Sequence, residues 1–190
     1  MCTQRLRIRR AREDDAYELA LLMSGTISAR LASWPAEMTP AMARDRLSRD
    51  LANAGAIAPM VMELREGGRI CGWMSVARLP EHPSCAILTY WLGEAHHGQG
   101  LMREVAASAV RRLFETLDLD RLRAAVQADN PASIGVLRGA GMHYLGAGRI
   151  WCSARRREEQ CLWFEIDRTM ALGETAAIGH SQAGAGVPER

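Results

Sequence analysis

Residues 90–103 read YWLGEAHHGQGLMR, a passage that runs from a strand through a glycine-rich turn into a long helix. Unpaired backbone N–H groups at the start of a helix point outward, and the helix dipole favours negative charge there. Gly98 and Gly100 lack the side chains that would keep a phosphate away from those N–H groups. A glycine pair alone is also typical of a tight turn. The stretch therefore indicates a candidate anion site, and the elements around it decide between this interpretation and a plain tight turn.

The chain before this stretch predicts two helices and an antiparallel meander. Residues 5–10 alternate charged and apolar side chains, which fits a strand with one wet face, and the acidic residues 13–15 begin a helix. Residues 27–36 are predicted to be irregular. Thr39 and Pro40 then give a second helix start, a capping hydroxyl followed by a ring whose missing N–H costs nothing there. Three apolar runs follow, with Gly-Gly between the first two as in a hairpin: residues 57–64, 70–77 and 85–92.

After this stretch the hydrophobic period becomes helical over residues 101–117. A short apolar strand at residues 122–128 comes next, and Asn130 with Pro131 opens another helix. Strand, long helix and strand form a crossover unit, which places the last meander strand and the strand at residues 122–128 parallel in the sheet. Two further segments are strand-like, at residues 142–152 and 160–167.

Together these elements predict a single α/β (α+β) domain over residues 1–172. We expect a mixed, mostly antiparallel central sheet of about six to seven strands with one parallel pair, flanked by about four helices. A chain of 190 residues with 48% hydrophobic side chains can bury one sizeable core. Residues 173–190 are too polar and too rich in Gly and Ala to pack, so we predict a disordered tail there.

Composition excludes several classes of function. Lys and Arg total 24 against 22 Asp and Glu, and this balance gives no electrostatic reason to expect nucleic acid as a partner. No run of about 18 apolar residues exists, which argues against a membrane span. The five cysteines lack Cys-x-x-Cys spacing and are interpreted as reduced thiols of a cytoplasmic protein. His96 and His97 are adjacent on a turn with no third ligand suitably spaced, so we expect no metal.

Two nucleotide-binding motifs that share this strand–turn–helix arrangement, Gly-x-Gly-x-x-Gly and Gly-Lys-Ser/Thr, are missing. The chain instead resembles the GNAT family of N-acetyltransferases, and most closely its RimJ- and RimL-like branch of ribosomal-protein N-terminal acetyltransferases. The family's acetyl-CoA signature falls on residues 97–102, and its second motif falls on residues 130–133 with Gly141 after it. The strand end at residues 90–92 also resembles that branch.

The resemblance implies a GNAT fold in which the two parallel strands splay apart. Backbone groups near Leu92 then pair with the pantetheine arm of acetyl-CoA, and Asn130 contacts the arm from the other side. The pyrophosphate lies on N–H groups of residues 99–103, while Arg103 and Arg138 are candidates for the 3′-phosphate. His97 and Met102 stand where the family usually has Arg or Gln and a small residue. The implied acetyl-CoA contacts are Leu92, His97, Gly98, Gln99, Gly100, Leu101, Met102, Arg103 and Asn130.

Acetyl transfer from a thioester to an amine needs a neutral nucleophile, a stabilised oxyanion and a proton for the departing thiolate. By resemblance, a backbone N–H near Leu92 polarises the thioester carbonyl and Ser133 protonates the thiolate. The alternative interpretation of Ser133 is a hydroxyl at a helix start that bonds its own backbone.

The general base stays open, because this chain has Ile87 and Leu137 where many relatives place a Glu or a Tyr. The alternatives are a water relay, Glu94, His96, or the region around Arg30 and Trp34. Trp34, beside Pro35, is interpreted either as a wall of the acceptor pocket or as a core anchor.

The sequence therefore favours an acetyl-CoA-dependent N-acetyltransferase, a monomer or homodimer, acting on a protein N-terminus or a similar primary amine. A small-molecule amine or aminoglycoside acetyltransferase is the alternative within the same class. From another class, a module that binds acyl-CoA without turnover also fits, because the usual Glu and Tyr are absent.

Overall fold

The computed structural model describes residues 1–173, and within them seven strands form one sheet. The strands are β1 (Leu6–Arg10), β2 (Ile57–Leu64), β3 (Ile70–Leu79), β4 (His82–Leu92), β5 (Arg121–Val126), β6 (His143–Cys152) and β7 (Arg157–Asp167). Their order across the sheet is β1-β2-β3-β4-β5-β7-β6. Only β4 and β5 pair in parallel, so the predicted mixed, mostly antiparallel sheet is confirmed for the described residues.

Six helices flank the sheet within the same residues. They are α1 (Ala16–Leu22), α2 (Gly25–Ser28), α3 (Pro40–Ala52), α4 (Leu101–Thr116), α5 (Pro131–Gly139) and α6 (Arg168–Leu172). The Thr39 hydroxyl caps α3 by accepting a hydrogen bond from the Met42 N–H, as its sequence predicts. The two helices that the sequence did not predict are the short ones, α2 and α6, which are capped by Ser24 and Asp167.

The parallel pair is short, and this shortness opens the sheet. β4 and β5 pair only where Cys85, Ala86 and Ile87 face residues 121–123. Beyond Ile87, β4 continues beside β3 to Leu92 and β5 continues beside β7 to Val126, but the two no longer pair with each other. The predicted splay is therefore present, and residues 88–92 have backbone groups on one side without a strand partner.

A hydrophobic cluster lies on each face of the sheet. The first packs the apolar face of α4, including Leu101 and Val105, against the sheet and α5. The second joins α1 and α3 to the other face around Trp34, Trp73 and Trp91. Trp34 meets the other two rings edge-on, with centroid distances of 5.3 and 5.1 Å.

Several boundaries differ from the sequence expectation for tertiary reasons. β4 begins at His82 rather than Cys85, because His82 pairs with Leu79 across a tight turn and draws the predicted loop into the strand. β7 begins at Arg157 rather than Gln160, because its first residues pair with the end of β6. The predicted tail falls outside the described residues except for Gly173, which ends α6 with a left-handed φ of 70°. No helix in residues 1–173 is long and apolar enough to cross a membrane.

Candidate functional site

A cleft of about 550 Å³ opens where β4 and β5 part. One side is formed by the starts of α4 and α5, and the other by residues 26–32, which we call the wall segment. The cleft brings together nine of the residues predicted to contact acetyl-CoA or to act in catalysis: Leu92, His97, Gly98, Gly100, Leu101, Met102, Arg103, Asn130 and Ser133. Four residues named as candidates, Gln99, Arg138, Glu94 and Trp34, do not line it.

The turn before α4, residues 97–100, requires its glycines for their backbone conformation. Gly98 and Gly100 have φ values of 72° and 73°, in the left-handed region that other residues adopt only with strain. Gly100 is the N-cap of α4, and no side chain of the described residues caps this helix. The first N–H groups of α4 therefore have no side-chain partner at the N-cap, which is the geometry that the predicted anion site requires.

Gln99 helps to shape this turn rather than to line the cleft. Its side-chain Nε2 donates to the Ala95 backbone carbonyl at 2.7 Å, and the Gln99 backbone carbonyl accepts from Arg5 Nη1 at 2.9 Å. Any contact of Gln99 with an anion would therefore come from its backbone N–H. This agrees with the expected contact, which was with backbone N–H groups, because the fold of the turn directs the amide side chain back to residue 95.

Arg5 and Glu104 brace the turn from the β1 side, and the sequence analysis missed them. Arg5 Nε donates to Glu104 Oε2 at 2.6 Å, and the Arg5 backbone N–H donates to Glu104 Oε1 at 2.9 Å. The Thr3 hydroxyl donates to the same carboxylate. Hydrogen bonds from Thr3 and then from Arg5 lower the pKa of Glu104 to about 2. Glu104 lies in the first turn of α4, where its charge also suits the helix dipole.

The free edge of β4 presents backbone groups to the cleft. The Gly93 N–H donates to the Cys71 carbonyl of β3 at 2.9 Å, so the groups of its neighbour Leu92 point the other way, toward β5. His97 Nε2 lies 2.9 Å from the Leu92 carbonyl, and because a carbonyl only accepts, this nitrogen carries the proton. His97 thus occupies the Leu92 carbonyl and leaves the Leu92 N–H facing the gap.

Ser133, Tyr90 and Asn130 form a hydrogen-bonded group across the cleft. The Asn130 side-chain oxygen caps α5 by accepting from the Ser133 N–H at 3.1 Å. The Ser133 hydroxyl lies 2.7 Å from the Tyr90 hydroxyl. The interpretation of Ser133 as a hydroxyl that bonds its own backbone therefore does not match the geometry. Burial raises the pKa of Tyr90 to about 12, against the opposing effect of Ser133, so the phenol is neutral at pH 7.

The wall segment is held in place by the β5–α5 loop and by the hairpin between β6 and β7. Gln127 Nε2 donates to the Ala29 carbonyl at 2.8 Å, and Arg30 pairs with Asp129 in the same loop. From the hairpin, Arg155 Nη1 donates to the Ser28 carbonyl at 2.8 Å while its Nη2 contacts Glu159 at 2.6 Å.

The candidates for a general base differ in whether they line the cleft and in whether they can accept a proton. The Glu94 carboxylate accepts from the Ser24 hydroxyl and does not line the cleft. His96 does line it, and burial, together with the charges of Arg69 and His97, lowers the pKa of His96 so that its imidazole is neutral at pH 7. Arg30 also lines the cleft, but as a cation it cannot take a proton.

Trp34 belongs to the core rather than to the cleft. Its side chain is 0% exposed, and the Arg46 guanidinium covers its ring at 4.4 Å. The expectation that Trp34 walls the acceptor pocket therefore has no support in its position. Ile87 and Leu137 both line the cleft, so apolar side chains stand at the two positions where the family resemblance suggested a Glu or a Tyr. No group of three or more potential metal ligands exists among residues 1–173.

Known proteins share sequence similarity with this chain. A family model described as "Acetyltransferase (GNAT) domain" matches residues 5–143. The "Probable N-acetyltransferase YjcK" of Bacillus subtilis (strain 168) is 39% identical over 64 residues, which are 34% of this chain and 35% of that protein. The match thus spans about a third of the length of that curated relative.

Solved structures share the fold at low sequence identity. RimL, described as a ribosomal L7/L12 alpha-N-protein acetyltransferase in complex with coenzyme A, superposes with a TM-score of 0.74 at 20% identity, over 87% of this chain and 95% of that one. Spermidine N-acetyltransferase from Vibrio cholerae, in complex with CoA and spermine, gives 0.76 at 15% identity over 88% and 98%. RimJ of Mycobacterium smegmatis, in complex with CoA-disulfide, gives 0.74 at 19% identity over 88% and 89%.

Proposed function

The chain belongs to the GNAT acetyltransferase family, and on that premise we propose that it transfers the acetyl group of acetyl-CoA to a primary amine. One observation carries the proposal: the unpaired end of β4 and the uncapped start of α4 meet in a single cleft. The first can pair with the amide groups of a pantetheine arm, and the second can hold a pyrophosphate.

In this proposal each part of acetyl-CoA contacts a different part of the cleft. The pyrophosphate lies on the turn at residues 97–100 and the first turn of α4, with Arg103 available to a further phosphate. The pantetheine arm runs along residues 88–92 as an added strand. Asn130 also lines the cleft, and because its side-chain oxygen accepts from the Ser133 N–H, its amide nitrogen is the group that would donate to the arm.

The Leu92 N–H would act as the oxyanion donor. It belongs to rigid backbone, and His97 already holds the carbonyl of the same residue, so the donor is oriented before the thioester arrives. Ser133 would give its hydroxyl proton to the sulfur as the carbon–sulfur bond breaks and the electron pair moves to sulfur. The proton lost by the amine nitrogen then returns through water to the serine oxygen.

His96 is the base that we propose, directly or through a water molecule. It lines the cleft with a lowered pKa, so its imidazole is neutral at pH 7 and can take the first proton of the incoming ammonium and release it to solvent. The second proton, lost after the nitrogen has bonded to the carbonyl carbon, is the one that returns to Ser133. No Asp or Glu lines the cleft among residues 1–173, so a carboxylate base would have to enter from elsewhere.

The same lack of carboxylates favours an acceptor with one amine over a polycation. A polyamine or an aminoglycoside would bring additional positive charges beside Arg30 and Arg103 with no acidic side chain in the cleft lining to pair with them. The wall segment offers Ile27 and Leu31 as apolar contacts. We therefore infer that the acceptor is the α-amine of a polypeptide or a similar monoamine, in the cytoplasm.

Release of free CoA, measured with a thiol reagent, tests the proposal. Peptides with different N-terminal residues, simple monoamines, spermidine and an aminoglycoside are each supplied with acetyl-CoA, and a sample without amine is the control. We expect release that depends on the amine and is fastest with peptides or monoamines. Tight acetyl-CoA binding without turnover across the whole panel would instead support an acyl-CoA-binding module, to which Ile87 and Leu137 also point.

A further inference from the structure

Tyr90 and Ser133 form a contact that the mechanism above leaves unused. The phenol comes from the free end of β4 and the serine from the first turn of α5, so the bond crosses the cleft between two elements that do not pair. Both residues line the cleft. The oxygen atoms are 2.7 Å apart, the usual distance for a hydroxyl–hydroxyl hydrogen bond.

Either hydroxyl can donate in this contact, and the distances favour the phenol as the donor to the serine oxygen. Tyr90 lies 3.3 Å from the Ser133 carbonyl and 2.7 Å from the Ser133 hydroxyl, so its single proton has the serine oxygen as the better acceptor. The backbone N–H of Ser133 is already taken by Asn130. When the phenol donates, the serine proton has no partner within its own helix turn and is free to point into the cleft.

We propose that Tyr90 is a positioning residue that holds the Ser133 hydroxyl with its proton directed at the thioester sulfur. The inference rests on the proposed acetyl transfer. As the serine gives its proton to the departing sulfur, negative charge develops on the serine oxygen, and the bond donated by the phenol stabilises that charge. Tyr90 keeps its own proton throughout, so the proton balance of the reaction is unchanged.

A double-mutant cycle tests this role. Tyr90→Phe removes one oxygen and should lower kcat about tenfold with KM for acetyl-CoA unchanged, since one hydrogen bond made in the transition state is lost. Ser133→Ala should lower kcat about 100-fold, within the range of general acid–base catalysis. Adding Tyr90→Phe to Ser133→Ala should cause no further loss, because the phenol then has no serine to orient.

The controls separate this inference from the proposed function. Tyr144→Phe alters an exposed tyrosine on β6 and should leave kcat unchanged. Thermal unfolding of each variant checks the fold. If the wild type transfers acetyl groups but Tyr90→Phe keeps full kcat, or if its loss persists undiminished in the Ser133→Ala background, the positioning role is wrong while acetyl transfer stands. A wild type that releases no CoA with any amine overturns both.

Discussion

At the scale of single residues, the site depends on a few backbone conformations and short side-chain contacts. The turn at residues 97–100 illustrates the first kind: Gly98 has nothing within 4 Å of the position that a Cβ would occupy. A side chain would fit there without a clash, so the requirement for glycine is conformational.

Gly98→Ala should therefore weaken acetyl-CoA binding by about 1–2 kcal/mol, since a left-handed alanine is strained and the turn relaxes away from its N–H geometry. Gly98→Asn should lose less, because asparagine tolerates this region better. Titration calorimetry with acetyl-CoA gives both values. Equal affinity in all three proteins would show that the turn does not hold the phosphates.

Glu104 should make the free energy of unfolding depend on pH in the acid range. Its pKa in the fold is about 2, below the ordinary 4.5, so the stabilisation is present above pH 4.5 and is lost as the pH falls toward 2. Glu104→Gln should lower the urea midpoint at pH 7 and flatten its decline between pH 5 and 3. Glu115→Gln, which alters an exposed pair with Arg111, is the control and should change little. A wild-type decline identical to that of Glu104→Gln would contradict the assignment.

At the scale of elements, the sequence predicted those that local signals determine. The Thr39 cap, the Gly67-Gly68 turn and the helical period after Leu101 each lie within a few residues of the structure that they specify. The strand patterns directly before and after the long helix α4 likewise predicted that β4 and β5 pair in parallel.

The contacts that the sequence did not predict join distant residues. Arg5 and Glu104 are 99 residues apart, and Tyr90 and Ser133 are 43 apart, so no local pattern relates them. Trp34 was ambiguous for a similar reason, because its burial depends on Trp73 and Trp91 from two strands. These sets arise only when the sheet brings the elements together.

The hairpin between β6 and β7 should control the acceptor side of the cleft. Arg155→Ala removes the contact with the Ser28 carbonyl, so the wall segment should loosen and KM for the amine should rise severalfold while the Kd for acetyl-CoA stays unchanged. Arg149→Ala, which breaks an exposed pair in the same hairpin, is the matched control. Steady-state kinetics with both substrates varied measures the difference. If the Kd for acetyl-CoA rose instead, the hairpin would support the acetyl-CoA side of the cleft and not the acceptor side.

At the scale of the whole molecule, β4 contributes to both hydrophobic clusters. Leu88 and Leu92 pack into the first, and Trp91 packs into the second on the opposite face of the sheet. The open end of this strand is thus anchored on both faces by packing within the protein.

Acetyl-CoA at 100 times its Kd should then stabilise the protein by about 2.7 kcal/mol, which corresponds to a rise in Tm of about 5–10 °C for a chain of this size. Ala132→Trp places a large ring in the cleft from the exposed start of α5 and should abolish the rise. Ala107→Trp, on the exposed side of α4 and outside the cleft, should preserve it. Differential scanning calorimetry measures all three proteins, and an equal rise in each would place the ligand elsewhere.

The edge-on contacts among Trp34, Trp73 and Trp91 have a practical consequence, because Trp91 also lines the cleft. An occupant beside residues 88–92 would lie next to Trp91, whose ring contacts Trp34, so we expect its binding to change tryptophan fluorescence. The protein therefore carries a built-in optical reporter, whose fluorescence can follow the filling of the cleft in real time without any attached dye.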